Sequence, residues 1–253
     1  HHCGMELRVK GVWFDLDGVL VDTRPLHYHA LNKALAEVDE KYVISFEDHL
    51  ARFDGNPTRV KLKRLTAERG LSEDLHDHIN ARKQVLSSGW LSQLAPSIAD
   101  IKQALTLEAV QESIQVDPSK VAVMKALRSK GIKIACASNS VRNSVEALLK
   151  ACGVLEYMDL LLSNEDFPMN QFPKPNPAVY LHACSHFGFS PLECVVVEDS
   201  PTGRQAGLLS ACHLLCVEDP SGVTEEVVNG FISTAEAEND KRALVVPPNK
   251  TFS

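Results

Sequence analysis

The chain has 253 residues, of which 44% are hydrophobic, so it can bury the core of one large domain or of two smaller ones. A net charge of -7, with basic residues diluted by acidic ones, argues against nucleic acid as a partner. No stretch reaches the roughly 18 apolar residues of a membrane helix, and the seven cysteines form no CxxC pair. We therefore expect a soluble, cytoplasmic protein with reduced thiols, without zinc and without a membrane partner.

The first predicted element is a strand at residues 9–14, which are mostly apolar, β-branched or aromatic. This strand stops abruptly at Asp15, which is followed by Asp17 and Gly18. A buried parallel strand ends in this way at its carboxyl terminus, so we expect Asp15 to lie at the strand tip. Met5 is interpreted as the natural start, and the four residues before it are left out of the fold prediction.

A long helical segment is predicted next, because residues 25–115 show helical periodicity and almost no β-rich run. Ser45, Thr58 and Ser72 are helix-start signals, and Gly70 is a stop signal. We predict that residues 24–112 form an all-helical domain inserted into a core of residues 5–23 and 113–253.

From Asp117 onward, predicted helices and strands alternate. Asp117 is an N-cap followed by Pro118, a typical helix start. The predicted strands lie at residues 132–137, 159–162, 194–197 and 213–217. This alternation predicts an α/β fold, a Rossmann-like parallel sheet with helices on both faces, whose active site lies at the carboxyl ends of the strands. The polar tail after about Ala235 is predicted to lie only against the surface.

Polar side chains follow the predicted strands at the edge where such active sites lie. Carboxylates that meet a lysine and a hydroxyl there predict a site for a divalent cation and an oxyanion, because Mg²⁺ prefers oxygen ligands and often binds substrate phosphate. The candidates are Asp15, Asp17, Ser138, Asn139, Lys174, Glu198 and Asp199.

In these residues the chain resembles the haloacid dehalogenase superfamily, in particular its phosphatase branch with a helical cap after the first strand. Residues 15–23 satisfy every position of the first motif, DxDGxLxDT. Ser138 looks like the second motif and Lys174 like the third, while Glu198 and Asp199 look like the acidic pair of the fourth. The resemblance covers about residues 9–220.

This resemblance implies a mechanism. Asp15 attacks phosphorus and forms an aspartyl-phosphate, which splits one difficult displacement into two easier ones, and Asp17 serves as the acid and base, a role worth roughly 10²- to 10⁴-fold in rate. Lys174 and Ser138 neutralise the transferring oxygens. The implied Mg²⁺ ligands are the carboxylates of Asp15, Asp199 and Glu198, the last directly or through water, with the backbone carbonyl of Asp17. The implied substrate is a small phosphorylated metabolite.

Two alternatives stay open. Asp17 excludes the superfamily members that cleave carbon–halogen bonds or phosphonates, but a sugar phosphomutase resembling β-phosphoglucomutase shares Asp17, the helical cap and the fourth motif. Residues 137–140 read Ala-Ser-Asn-Ser, closer to simple phosphatases than to the Ala-Ser-Ala-Ser of many mutases. An inert phosphoester-binding module is disfavoured because no catalytic position has been lost. The oligomeric state is not predicted.

Substrate-binding residues are predicted next to the motifs and in the cap. Thr23 either caps the first cap helix or touches substrate. His27 lies one turn into that helix, and Asn56 and Arg59 lie around the turn at residues 55–58. Arg59 belongs to a basic run that more often forms a solvated face. Asn139, which directly follows Ser138 of the second motif, is also predicted to bind substrate.

Overall fold

The computed structural model describes residues 7–53, 56–93 and 114–245. The chain divides into two compact units, one formed by His1–Asp22 with Gln115–Ser253 and the other by Thr23–Ile114. The predicted boundary near residue 112 falls outside the described residues. None of the described helices is long and apolar enough to cross a membrane.

The first unit contains a five-stranded sheet in which every pair of neighbouring strands is parallel. The strand order is β3-β2-β1-β4-β5, which confirms the predicted α/β fold class. The strands are β1 (Gly11–Phe14), β2 (Lys133–Ala137), β3 (Leu160–Leu162), β4 (Cys194–Glu198) and β5 (His213–Cys216).

The central strands β1 and β4 form because their residues, apart from Glu198 at the end of β4, are apolar or small on both faces. Every residue of β1 and β4 is buried, as expected for parallel strands covered by helices. The structure starts β1 at Gly11 rather than at residue 9, and it extends β4 to Glu198. Glu198 is therefore the last strand residue and not the first loop residue, which holds its side chain in the sheet.

The second unit contains helices joined by turns and loops, and no β-strand, among its described residues. Its helices are α1 (Arg24–Ala36), α2 (Phe46–Asp48), α3 (Thr58–Arg69) and α4 (His76–Gln93). Gly70 ends α3 in a left-handed conformation with φ of 69°, as predicted. Pro57 and not Thr58 is the N-cap of α3, so Thr58 is the first helical residue and its hydroxyl is available to a neighbouring helix.

The helices of the first unit follow the predicted alternation. Asp117 caps the first of them through its carboxylate, which accepts hydrogen bonds from the backbone N–H groups of Ser119 and Lys120. The helices are α5 (Pro118–Ser129), α6 (Arg142–Ala151), α7 (Ala178–Phe187), α8 (Pro201–Leu209) and α9 (Glu225–Val245).

The prediction for the polar tail was wrong for residues 236–245, because the helix α9 continues to Val245 and buries Asn239; the rest of the tail lies outside the described residues. Val228, Ile232, Ala235 and Asn239 are buried and lie along one face of this helix. The Asn239 amide donates to the backbone carbonyls of two residues far away in sequence, at 2.8 and 3.0 Å. Glu236 and Glu238, which lie between Ala235 and Asn239, give this segment the polar composition on which the surface prediction depended.

Candidate functional site

Lys174 joins three chain segments at the carboxyl ends of β1, β2 and β4. Its Nζ donates to Asp15 Oδ1 at 2.8 Å, to Glu198 Oε1 at 2.6 Å and to the Ala137 carbonyl at 2.9 Å. These three bonds use all three ammonium donors. The Lys174 side chain is only 3% exposed, so its charge is held at one position.

The register of the sheet explains why these residues meet. Phe14 pairs with Cys136 on one side and with Val197 on the other, so the three strands end at the same level. The Asp15 N–H donates to the Val197 carbonyl at 3.0 Å, which extends the β1–β4 pairing by one residue. Asp15 and Glu198, which are 183 positions apart in the chain, therefore lie side by side.

The electrostatics of the cluster follow from burial. Burial, together with the charge of Asp15, raises the pKa of Glu198 to about 7 although Lys174 and Tyr180 donate to it. Burial disfavours the Lys174 ammonium, but the charge of Asp15, with that of Glu198, outweighs this and raises the pKa of Lys174 well above its usual range. The lysine is consequently a permanent cation between carboxylates.

Three carboxylates form a candidate metal site in this unit. Oxygen atoms of Asp15, Glu198 and Asp199 all lie within 4.8 Å of one another. Oε2 of Glu198 and Oδ1 of Asp199 are buried and accept no hydrogen bond from any residue that the structure describes. Burial and the charge of Asp15 also raise the pKa of Asp199. A set of hard oxygen donors with unsatisfied acceptors fits Mg²⁺.

Two glycines allow these carboxylates to approach the backbone. A Cβ atom at Gly18 would lie 2.0 Å from Asp199 Oδ2, and Gly18 also has a φ of 82°. A Cβ atom at Gly203 would lie 2.0 Å from Glu198 Oε2. Either side chain would displace a carboxylate of the candidate site. Gly18 belongs to the first motif, whereas the sequence predicts no role for Gly203, which lies in α8.

Tyr180 is a further residue that the sequence analysis missed. Its hydroxyl donates to Glu198 Oε1, the same oxygen that accepts from Lys174, and its ring lies 5.2 Å from Lys174 Nζ. Burial raises the pKa of Tyr180 well above its usual range, so the hydroxyl stays protonated and can donate. Tyr180 lies in α7 among apolar residues, where sequence alone indicates a core residue.

We expect Tyr180→Phe to lower the free energy of unfolding by about 1.5–3 kcal/mol, because it removes one hydrogen bond to a buried carboxylate. Urea denaturation followed by circular dichroism measures this loss. Tyr157→Phe is the matched control, since Tyr157 is also buried in this unit but its ring packs beneath Arg128 at 5.0 Å. Equal losses in both variants would contradict a specific contribution of the Tyr180 hydroxyl.

The remaining motif residues lie around this cluster. Ser138 directly follows Ala137, is buried, and accepts from the Ser140 N–H at 3.2 Å through its hydroxyl. Asn139 and Asp17 are exposed. Asp17 lies in the turn that the Gly18 N–H closes by donating to Val21. The structure thus brings Asp15, Lys174, Glu198 and Asp199 together and leaves the roles of the other three as predictions.

The residues of the second unit that were predicted to bind substrate do not all lie at one place. His27 and Asn56 line one cavity of about 330 Å³. Arg59 is exposed and lines a different hollow, together with acidic residues. Thr23 is the N-cap residue of α1, but its side chain makes no capping hydrogen bond, so the capping role proposed for it is wrong.

Comparisons with known proteins identify the family of the chain. The family model "haloacid dehalogenase-like hydrolase" matches residues 9–209. A phosphoglycolate phosphatase of Thiobacillus denitrificans is 29% identical over 83% of this chain and 84% of its own length. Hexitol phosphatase A of Escherichia coli is also 29% identical, over 85% of this chain and 86% of its own length.

A solved structure shows the same fold. The crystal structure of a putative β-phosphoglucomutase from Thermotoga maritima superposes with a TM-score of 0.62 at 20% identity, and the match covers 88% of this chain and 99% of that chain. Because the family model spans most of the sequence, the chain belongs to the haloacid dehalogenase-like hydrolase family.

Proposed function

We propose that the chain is a Mg²⁺-dependent phosphatase that hydrolyses small phosphate monoesters through an aspartyl-phosphate on Asp15. Hydrolysis of phosphate monoesters is the activity of this enzyme, as its family and its phosphatase relatives indicate. The observation that carries the finer mechanism is the contact of the Lys174 ammonium with both Asp15 and Glu198 at the tips of β1 and β4.

Asp15 suits the role of nucleophile. Its side chain is 14% exposed, so it is open to substrate on one side while Lys174 fixes one carboxylate oxygen from the other. Positioning and charge neutralisation are the main requirements of phosphoryl transfer. Lys174 orients Asp15 and offsets negative charge at the reacting oxygens, and Ser138 is proposed to donate its hydroxyl to the phosphate.

Asp17 is proposed as the general acid and base. It is exposed in the turn after β1, two residues beyond the nucleophile, and can exchange protons with solvent between the two half-reactions. Protonation of the leaving alkoxide and later deprotonation of water use the same carboxyl group in opposite directions. The glycine next to it leaves the turn free to adopt its positive φ.

Asp15, Glu198, Asp199 and the Asp17 carbonyl are proposed to hold Mg²⁺. When bound, Mg²⁺ supplies positive charge that neutralises the oxygens of the transferring phosphate. The buried acceptors on Glu198 and Asp199 support this assignment. Phosphoglycolate and hexitol phosphates, named in the relatives, are the first substrates to assay. A cytoplasmic location stays a prediction of the sequence.

An assay that measures two products separates the phosphatase from a phosphomutase. We expect free phosphate to be released from a panel containing 2-phosphoglycolate and hexitol phosphates when Mg²⁺ is present, and release to stop when EDTA removes the metal. In parallel, ³¹P NMR follows a sugar 1-phosphate supplied with the matching bisphosphate. Isomer formed faster than free phosphate would favour the mutase, and inertness toward the whole panel would contradict both enzymes.

A further inference from the structure

The two oxygens of the Glu198 carboxylate have different surroundings. Oε1 accepts hydrogen bonds from Lys174 Nζ at 2.6 Å and from the Tyr180 hydroxyl. A carboxylate oxygen has about two lone-pair sites, so two donors saturate Oε1. Oε2 is buried and accepts no hydrogen bond from any residue that the structure describes. Oε2 is therefore the oxygen of Glu198 that retains its full capacity to bind a cation.

The two donors are held in place independently of Glu198. Lys174 lies in the loop before α7, and Tyr180 lies in the first turn of that helix. Lys174 Nζ also donates to the Ala137 carbonyl at 2.9 Å and to Asp15 Oδ1 at 2.8 Å. The Tyr180 side chain is fully buried and packs in the hydrophobic core that contains Trp13. Both donors consequently meet Oε1 from fixed positions.

The backbone of α8 limits the movement of the same carboxylate. A Cβ atom at Gly203 would lie 2.0 Å from Glu198 Oε2 and 2.4 Å from Oε1, so the glycine backbone lies close to both oxygens. Glu198 is also the last residue of β4 and is completely buried, which prevents its side chain from turning into solvent. The donors and the backbone together give the carboxylate one orientation.

We propose that Tyr180 is a positioning residue that, together with Lys174, restricts Glu198 to one ligating oxygen and thereby makes the site prefer Mg²⁺ over Ca²⁺. Mg²⁺ requires a near-ideal octahedron of ligands, whereas Ca²⁺ takes about six to eight oxygens and accepts bidentate carboxylates. An oxygen saturated by two donors does not complete a bidentate pair. This inference rests on the proposed function, which assigns Mg²⁺ to the site, and deepens it by naming what selects the ion.

Tyr180→Phe tests the hydroxyl, because it keeps the ring in the core and frees one acceptor site on Glu198 Oε1. We expect the affinity for Mg²⁺ to fall at least about tenfold, the usual cost of losing an outer-shell partner of a metal ligand. The affinity for Ca²⁺ should fall by no more than about threefold, because Ca²⁺ can use both carboxylate oxygens. The preference for Mg²⁺ over Ca²⁺ therefore decreases.

Competition with Mn²⁺ measures both affinities without any turnover of substrate. EPR spectroscopy records free Mn²⁺ in the presence of the full-length, metal-free protein, and Mg²⁺ or Ca²⁺ is then added to displace the bound ion. Circular dichroism checks that each variant is folded. Tyr157→Phe is the matched control, because it removes a hydroxyl from another buried tyrosine of the same unit. It should leave the ratio of the Mg²⁺ and Ca²⁺ affinities unchanged.

Two kinds of failure can be told apart in this experiment. If Tyr180→Phe has the same ratio of Mg²⁺ and Ca²⁺ affinities as the wild type, the role of Tyr180 is overturned while the proposed phosphatase is unaffected. An equal change of this ratio in Tyr157→Phe would overturn it as well. Wild-type protein that binds neither Mn²⁺ nor Mg²⁺ would contradict the metal of the proposed function, and the role of Tyr180 with it.

Discussion

Replacement of Asp15 by asparagine lowers kcat for phosphate release by roughly 10³-fold or more, because the amide cannot act as the nucleophile that forms the covalent intermediate. The change preserves the size of the side chain and leaves an amide oxygen to accept from Lys174. The variant should therefore remain folded while losing activity. Phosphate release with saturating substrate and Mg²⁺ measures the effect.

Asp240→Asn is the matched control for this experiment. Asp240 is a half-exposed carboxylate on α9, 4.0 Å from Arg8, and belongs to the same unit as Asp15. It should retain the activity of the wild type. Full activity in Asp15→Asn would reject the proposed mechanism, whereas equal loss of activity in both variants would indicate a general effect on folding.

Replacement of Lys174 by methionine has the largest expected effect on stability. It leaves the buried Glu198 and the partly buried Asp15 without their cation, and breaking a buried ion pair in this way costs about 3–5 kcal/mol. Activity should fall as well, because Asp15 loses the contact that orients it. Urea denaturation in EDTA measures the stability, and phosphate release measures the activity.

The stability loss in Lys174→Met should depend on pH. Glu198 has a pKa raised to about 7 in the folded protein, above the ordinary value of 4.5. A buried carboxyl with a raised pKa favours folding while it is protonated, and this contribution disappears as the pH rises through the folded-state pKa. Removal of Lys174 raises the pKa of Glu198 further, because the lysine charge lowers it in the wild type. The loss in the free energy of unfolding caused by Lys174→Met should therefore be larger at pH 8 than at pH 6.

Lys133→Met provides the control for a lysine in the same sheet. Lys133 begins β2, is about half exposed and lies 3.8 Å from Asp159. An exposed pair of this kind contributes only about 0–1 kcal/mol. A loss for Lys174→Met no larger than for Lys133→Met would contradict the structural importance assigned to the buried lysine.

The sequence by itself determined the features that depend on neighbouring residues. The motif at residues 15–23, the end of β1 just before Asp15, the cap at Asp117 and the stop at Gly70 are local patterns, and each reflects the chemistry of a few adjacent positions. The α/β fold class also follows from such patterns, because alternating strands and helices pack in few ways.

Only the tertiary structure decided which distant residues meet. Tyr180 and Gly203 surround Glu198 because helices α7 and α8 pack against the sheet, and nothing in their local sequence distinguishes them from core or turn residues. Lys61 and Lys83 line one cavity because α3 and α4 lie side by side. The sequence did not predict that Asn239 is buried, because its burial depends on hydrogen bonds to backbone carbonyls of remote segments. Contacts between residues far apart in the chain depend on how whole elements pack, which local periodicity does not encode.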